Sequence, residues 1–206
     1  MRNRFLWVLA LLLVSCGGED TLAIRGDSTA IASRSGIAKV YNLVPSWDGK
    51  RWWVIVSSEL GRKPFNDGVG GQDMHTMRVK MEADQSHRKI TTIIYDRRND
   101  DEDAQAYVAD LSAAVATLQT DHFLIMPQVA QSAGKPETTD QVAAMAEIDR
   151  QVLARWPHNT FTYVERQAFL GELSADDTRF DGLHRNEKGQ MIEARYIGGW
   201  LKQRGW

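Results

Sequence analysis

Residues 89–95 read Lys-Ile-Thr-Thr-Ile-Ile-Tyr, a short run rich in β-branched residues. This composition predicts a β-strand, and the apolar character predicts that both faces of the strand are buried. A strand buried on both faces is typical of a parallel sheet with helices on each side. The sequence around this run agrees, because strand-like and helix-like patterns alternate along the chain.

Further strands are predicted at residues 21–24, 122–126 and 160–164, where short apolar or β-branched runs occur. Between them, apolar side chains recur every three or four residues, as on one face of an amphipathic helix. Thr138 and Gln141 predict a capping box at the start of one helix. The helical positions are Tyr107, Val108, Leu111, Val115 and Leu118; Val142, Met145, Ile148, Val152 and Trp156; and, in a last helix from about Glu187, Met191, Ala194, Ile197 and Leu201. The alternation predicts an α/β protein whose site lies beyond the carboxyl ends of its strands.

Bulk properties limit the classes of protein to be considered. The chain has 206 residues, enough for one domain with a substantial core, and a formal net charge of −2 at pH 7. No basic stripe is present to neutralise phosphates, so nucleic acid is not expected as a partner. We expect the protein to be a monomer.

The N-terminus resembles a secretion signal. A short basic segment at residues 1–4 precedes an apolar run at residues 5–14, which is too short to span a bilayer comfortably. The run ends in Leu-Val-Ser before Cys16, and this ending resembles the lipobox of bacterial lipoproteins, in which the cysteine takes the lipid. We therefore expect a lipoprotein signal peptide with its lipobox at residues 1–16 and a mature domain at residues 17–206.

Cys16 is also the only cysteine in the chain. The domain is therefore expected to have no disulfide, even in an oxidising compartment. The lipid on Cys16 would be the only membrane contact and would hold the protein on the periplasmic side of the bacterial cell envelope. Gly17 rather than Asp follows the cysteine, which by resemblance to Gram-negative lipoproteins favours the outer membrane over the inner.

Two motifs at predicted element ends carry candidate chemistry. Gly26, Asp27 and Ser28 follow the first strand, where a serine on a tight turn is exposed and its N–H lies near a helix N-terminus. Asp181 and His184 precede the last helix. A carboxylate three residues before a histidine can reach its Nδ1 and leave Nε2 free to accept a proton. Each motif alone is also common in ordinary turns and helix caps.

In their order along the chain, these motifs resemble the first and last sequence blocks of the SGNH (GDSL-type) hydrolases. Gly71, in the Asn-Asp-Gly-Val-Gly-Gly-Gln stretch at residues 66–72, is similar to the glycine of the second block, with Gly70 as the alternative. Asn99, after the strongest predicted strand, is similar to the asparagine of the third block. Arg97 stands where the family usually has glycine, which places a cation near the site and indicates an altered substrate preference.

This resemblance implies a fold, an activity and a set of site residues. The implied fold is a three-layer α/β/α sandwich with a central, mostly parallel sheet of five strands. The implied activity is hydrolysis of carboxylic esters, with Ser28 as nucleophile, His184 as its base and Asp181 orienting the histidine. The N–H groups of Ser28 and Gly71 and the side-chain amide of Asn99 would form the oxyanion hole. The mechanism requires neither a metal nor an organic cofactor.

The substrate is defined less closely, as a small acyl ester or an acetylated glycan. Trp47, Trp52 and Trp53 belong to a hairpin-like segment whose rings either stack on sugars or pack the hairpin onto the sheet, and packing is the favoured interpretation. With Arg97 they are the candidate substrate-binding residues. Three alternatives stay open: a phospholipid or lysophospholipid hydrolase, a thioesterase or arylesterase, and a catalytically weak or inactive envelope lipoprotein that keeps the fold and binds glycan or a protein partner.

Overall fold

A sheet of four parallel strands forms the centre of the fold, in the spatial order β2-β1-β3-β4. The strands are β1 (Thr21–Gly26), β2 (Lys63–Asn66), β3 (Thr91–Tyr95) and β4 (Phe123–Ile125). Every residue of β3 and β4 is buried, as the sequence predicts for strands covered on both faces. The computed structural model describes residues 20–27, 51–96, 103–129, 137–175, 178 and 184–206.

Helices cover both faces of this sheet and complete a three-layer α/β/α arrangement. Within the described ranges they are α1 (Trp52–Glu59), α2 (Met74–Ala83), α3 (Ala104–Ala116), α4 (Thr139–Arg155), α5 (Tyr163–Leu173) and α6 (Glu187–Gln203). Helices α1, α5 and α6 share one apolar core with the sheet, and α2, α3 and α4 share the other. None of these helices is long and apolar enough to cross a membrane. The predicted α/β class and the three layers are confirmed.

The helix caps explain why several helices begin where they do. Thr138 and Gln141 form the predicted capping box at the start of α4. At the start of α2, the Asp73 side chain accepts a hydrogen bond from the backbone N–H of Thr76. The predicted apolar faces are wrong at two positions near helix starts, because Val142 and Met191 are each 51% exposed.

The prediction of a strand at residues 160–164 is wrong. Thr160 forms only an isolated parallel bridge with Ile125, on the outer side of β4. Helix α5 then begins at Tyr163, because Thr162 and Glu165 form a capping box that favours a helix despite the β-branched and aromatic residues. The described residues therefore contain four strands rather than the five that were expected, with a single bridge in the fifth position.

The prediction of a hairpin-like segment is also wrong for the carboxyl end of that segment. Trp52 and Trp53 form the first turn of α1, and residues 41–50 lie outside the described residues. The ring of Trp52 is completely buried and lies 5.8 Å from that of Tyr95, between their centroids. The short apolar run at residues 52–56 is helical because it packs into the core beside α6.

Candidate active site

The carboxyl ends of β1 and β3 lie side by side at one edge of the sheet. Gly26, at the end of β1, pairs with Tyr95, at the end of β3. Asp27 and Asp96 are therefore the first residues beyond this edge, and both are buried, with 0% and 3% of their surface exposed. Parallel α/β sheets carry their ligand sites at this edge, so it is the candidate active-site edge.

The loop between β2 and α2 is folded over the carboxyl end of β1. The backbone N–H of Val69 and the side-chain amide of Gln72 both donate hydrogen bonds to the carbonyl of Gly26, at 3.0 and 2.6 Å. Gly71 lies between these two residues and has a φ of +77°, which residues with a Cβ rarely adopt. Gly71 is thus held near the end of β1, because Val69 and Gln72, on either side of it, are both hydrogen-bonded to Gly26.

A buried arginine supports the start of this loop from within the core. Arg25 forms ion pairs with Asp67, in the loop, and with Asp84, after α2, the second at 2.5 Å. Its guanidinium carbon lies 4.9 Å from the ring centroid of Phe65, a cation–π distance. Burial raises the pKa of Asp84, but hydrogen bonds from Arg25 and His87 outweigh burial and lower this pKa to about 2. Asp84 therefore stays ionised at neutral pH and keeps its ion pair with Arg25.

His184 is partly buried and lies two residues before Asn186, the cap of α6. The next side chain, Arg185, is buried in the core. The Asn186 side chain then caps α6 by accepting a hydrogen bond from the N–H of Gly189 at 3.1 Å. The backbone N–H of Asn186 donates to the carbonyl of Thr178 at 3.0 Å. The backbone that follows His184 is therefore fixed by both the core and the helix cap.

A buried polar network that includes Arg185, the residue after His184, was missed by the sequence analysis. Glu193 is fully buried and accepts hydrogen bonds from the hydroxyl of Tyr95 at 2.7 Å and from Nε of Arg185 at 3.2 Å. Burial, followed by the charge of Glu193, raises the pKa of Tyr95 well above its ordinary value, so its hydroxyl stays a donor. This network connects the end of β3 to the segment that carries His184. Its signal in the sequence is a glutamate on the same helical stripe as Ala194 and Ile197.

A second buried group supports the backbone after β3. The hydroxyl of Tyr107 and the side-chain amide of Gln128 both donate to the carbonyl of Asp96, at 3.3 and 3.2 Å. The backbone N–H of Gln128 donates to the carboxylate of Asp149 at 3.0 Å, and Arg166 forms an ion pair with that carboxylate. Burial raises the pKa of Asp149 to about 6, against the lowering effect of Arg166.

The other predicted site residues either lie in or against the core, away from the candidate active-site edge, or fall outside the described residues. Trp52 is buried in the core, so its ring is not available to stack on a sugar, and Trp53 packs partly buried against the same core. Among the described residues, no cluster of three His, Cys, Asp or Glu side chains is arranged to hold a metal ion. The predicted site residues that lie outside the described residues are Cys16, Ser28, Trp47, Arg97, Asn99 and Asp181.

The strand order and the three layers match the fold of the SGNH (GDSL-type) hydrolases. Solved structures of this class superpose on about nine tenths of the chain, with TM-scores of 0.60 to 0.64. The predicted fold class is thereby confirmed. No protein-family model matches the sequence, and neither does any curated protein.

Three of the similar structures illustrate this likeness. An esterase from Pseudoalteromonas sp., solved with monoethylphosphonate as inhibitor, has a TM-score of 0.63 at 14% identity and covers 90% of this chain and 98% of its own. A G-D-S-L family lipolytic protein from Veillonella parvula has a TM-score of 0.62 at 18% identity, covering 87% and 96%. An acetylxylan esterase from Geobacillus stearothermophilus, in a catalytic serine-to-alanine variant, has a TM-score of 0.60 at 15% identity, covering 91% and 94%.

Proposed function

We propose that this chain is a serine esterase that hydrolyses carboxylic esters of small acyl groups. The observation that carries the proposal is the loop of Gly71, which is hydrogen-bonded to the carbonyl of Gly26, two residues before Ser28. An N–H group beside a serine at the carboxyl end of a strand is what an acyl-transfer enzyme needs to hold an oxyanion. The fixed segment of His184, which precedes α6, supports the same assignment.

In the proposed reaction, Ser28 is the nucleophile that attacks the ester, and His184 transfers the protons. Nε2 of His184 takes the proton of Ser28 while its Oγ attacks the carbonyl carbon, and Asp181 stabilises the imidazolium. The tetrahedral oxyanion accepts hydrogen bonds from the N–H groups of Ser28 and Gly71 and from the amide of Asn99. The intermediate then expels the alcohol, which takes the proton from His184. Water repeats the sequence, releases the acid and restores the serine.

The similar structures support both the chemistry and the substrate class. The Pseudoalteromonas sp. protein is an esterase inhibited by a phosphonate, and phosphonates imitate the tetrahedral intermediate of acyl transfer. The protein from Geobacillus stearothermophilus acts on acetylated xylan. An O-acetylated carbohydrate is therefore the first substrate class to test, and a longer acyl ester or a thioester is the second.

We also propose that the protein is a lipoprotein of the bacterial envelope. This proposal rests on the basic segment, the apolar run and the lipobox that ends at Cys16. Mass spectrometry of the protein from a membrane fraction tests it, since a diacylglycerol on Cys16 adds a defined mass. A Cys16→Ser variant serves as control, because it can carry no thioether-linked lipid. An unmodified Cys16 in the purified protein would overturn the assignment.

The decisive test of the esterase function is hydrolysis of p-nitrophenyl acetate by the chain without residues 1–16. The parent protein should hydrolyse the ester and Ser28→Ala should not, while both give the same circular dichroism. Ser58→Ala is the matched control, because Ser58 is an exposed serine on α1 and should leave activity unchanged. A fluorophosphonate probe should label the parent and Ser58→Ala but not Ser28→Ala.

The outcomes separate the esterase from the binding-protein alternative. A parent that neither turns over esters nor takes the probe would favour a catalytically inactive lipoprotein that binds glycan. Turnover that survives Ser28→Ala would show that another residue is the nucleophile. If the parent is active, acetylated oligosaccharides, longer acyl esters and thioesters compared at equal concentration rank the substrate classes by kcat/KM.

A further inference from the structure

Gln72 is a buried polar residue next to the proposed oxyanion glycine. Only 6% of its surface is exposed, and its side-chain amide donates a hydrogen bond of 2.6 Å to the carbonyl of Gly26. Gln72 follows Gly71 in the chain, and Gly26 ends the strand that leads to Asp27. The side chain of Gln72 therefore connects the Gly71 loop to the end of β1, and the proposed mechanism requires these two segments to keep a fixed relative position.

This hydrogen bond is not needed to satisfy the backbone of β1. The carbonyl of Gly26 already accepts a hydrogen bond from the N–H of Val69 at 3.0 Å. Removing an amide side chain from water costs free energy. A buried second donor is therefore not explained by the hydrogen-bonding needs of this carbonyl oxygen alone. The arrangement is better explained by the need to fix the direction of the chain on both sides of Gly71.

Lys80 strengthens the same connection from α2. Its ammonium donates to the backbone carbonyl of Asp67, at the start of the loop, and to Oε1 of Gln72 at 3.3 Å, at the end of the loop. The amide of Gln72 is thus oriented with its oxygen toward the lysine and its nitrogen toward Gly26. Because this orientation is set by a charge, the amide cannot turn over without losing both contacts.

We propose that Gln72 is a positioning residue of the oxyanion hole, acting through the Gly26 carbonyl and the N–H of Gly71. The inference rests on the proposed esterase function and adds a residue to which that function assigns no role. Displacement of an oxyanion donor by about 1 Å is enough to cost roughly 10²-fold in rate. Loss of Gln72 is therefore expected to lower kcat rather than to weaken substrate binding.

The test compares Gln72→Met and Gln72→Glu with the parent. Methionine keeps the length of the side chain but donates no hydrogen bond. The ionised glutamate keeps the contact with Lys80 but cannot donate to Gly26. Both variants should lose roughly 10²-fold in kcat for p-nitrophenyl acetate, with KM changed by no more than about twofold. Gln190→Met is the matched control, since it removes another buried glutamine, 4% exposed, whose oxygen accepts from the N–H of Trp52.

Amide hydrogen exchange gives a second readout that does not depend on activity. In Gln72→Met, exchange should become faster at Val69, whose N–H is hydrogen-bonded to Gly26, and stay unchanged in β3, whereas Gln190→Met should leave the loop unchanged. A Gln72→Met variant with parental kcat would overturn the inference, and so would a fall in kcat that Gln190→Met shares. If the parent proves inert toward esters, the proposed function fails. Unchanged exchange at Val69 in Gln72→Met would then overturn the positioning role separately.

Discussion

Gly61 and Gly71 have the same unusual backbone but lie at opposite ends of the fold. Their φ angles are +66° and +77°, and a Cβ on either glycine would meet nothing within 4 Å. Gly61 precedes β2 at the amino edge of the sheet, and Gly71 lies in the loop at the carboxyl edge. Each glycine is required by its left-handed conformation and not by a lack of space.

This pair allows backbone strain to be separated from catalysis. Gly61→Ala and Gly71→Ala should each lower the free energy of unfolding by about 1–2 kcal/mol, because alanine is strained at positive φ. Only Gly71→Ala should also lower kcat, by up to about 10²-fold, because the strained alanine displaces an N–H that is proposed as an oxyanion donor. Urea unfolding and ester hydrolysis of both variants provide the check. Equal kcat values for the two variants would show that backbone strain at residue 71 does not reach the reacting groups.

At the scale of elements, sequence patterns predict the buried strands well and their neighbours less well. The strands predicted at residues 89–95 and 122–126 are found at Thr91–Tyr95 and Phe123–Ile125, because strands covered on both faces are rich in apolar and β-branched residues. Residues 160–164 are wrongly predicted, since the capping box of Thr162 and Glu165 decides the start of α5 more strongly than β-propensity does. A short apolar run such as residues 52–56 fits a strand or a helix equally, and only packing decides between them.

Helix α4 carries a group that makes stability depend on pH. The pKa of Asp149 is raised from 3.8 to about 6, first by burial, so the folded state binds more protons than the unfolded state between these two values. The free energy of unfolding should therefore fall by up to about 3 kcal/mol as pH rises from 4 to 6. The lowered pKa of Asp84 acts in the opposite direction, because its stabilising effect is lost as pH falls toward 2.

Replacing Asp149 by Asn isolates this contribution. Asparagine can still accept from the N–H of Gln128 but carries no charge, so the variant should gain stability relative to the parent as pH rises from 4 to 7. Other carboxylates, including Asp84, are common to both proteins and cancel in the difference. Urea unfolding of both proteins at several pH values measures it. A difference that stays constant across this range would contradict the raised pKa.

At the scale of the whole molecule, one buried network joins the sheet to the last helix. Tyr95, Glu193 and Arg185 meet although the tyrosine and the glutamate are 98 residues apart in the chain. The resemblance placed Gly71 in the site from a local stretch of sequence, and the structure brings it to the expected edge. The only local signature of the network is a glutamate among the apolar positions of α6, and its partners leave none, because pairing between distant residues produces no periodicity. It could be found only once the fold was known.

Removing one charged member of this network should lower the free energy of unfolding more than removing both. Glu193→Leu leaves the buried guanidinium of Arg185 without this carboxylate and should lower the free energy of unfolding by about 3–5 kcal/mol. The double variant Glu193→Leu/Arg185→Met removes both charges and should be more stable than Glu193→Leu alone. A double-mutant cycle in urea measures the coupling. Additive losses from the two single variants would show that the two charges do not depend on each other.

The direction of β1 has a consequence for the orientation of an anchored molecule. The strand starts at Thr21 on the edge opposite the Gly71 loop, and its six residues separate the two edges by about 20 Å. A lipid on Cys16, as proposed, would be joined to Asp20 by about 14 Å of chain at most. The bilayer would then face the amino edge, and the candidate active-site edge would face the aqueous compartment. Dissolved esters and acetylated polymers of that compartment would reach it more readily than the acyl chains of the leaflet that holds the anchor.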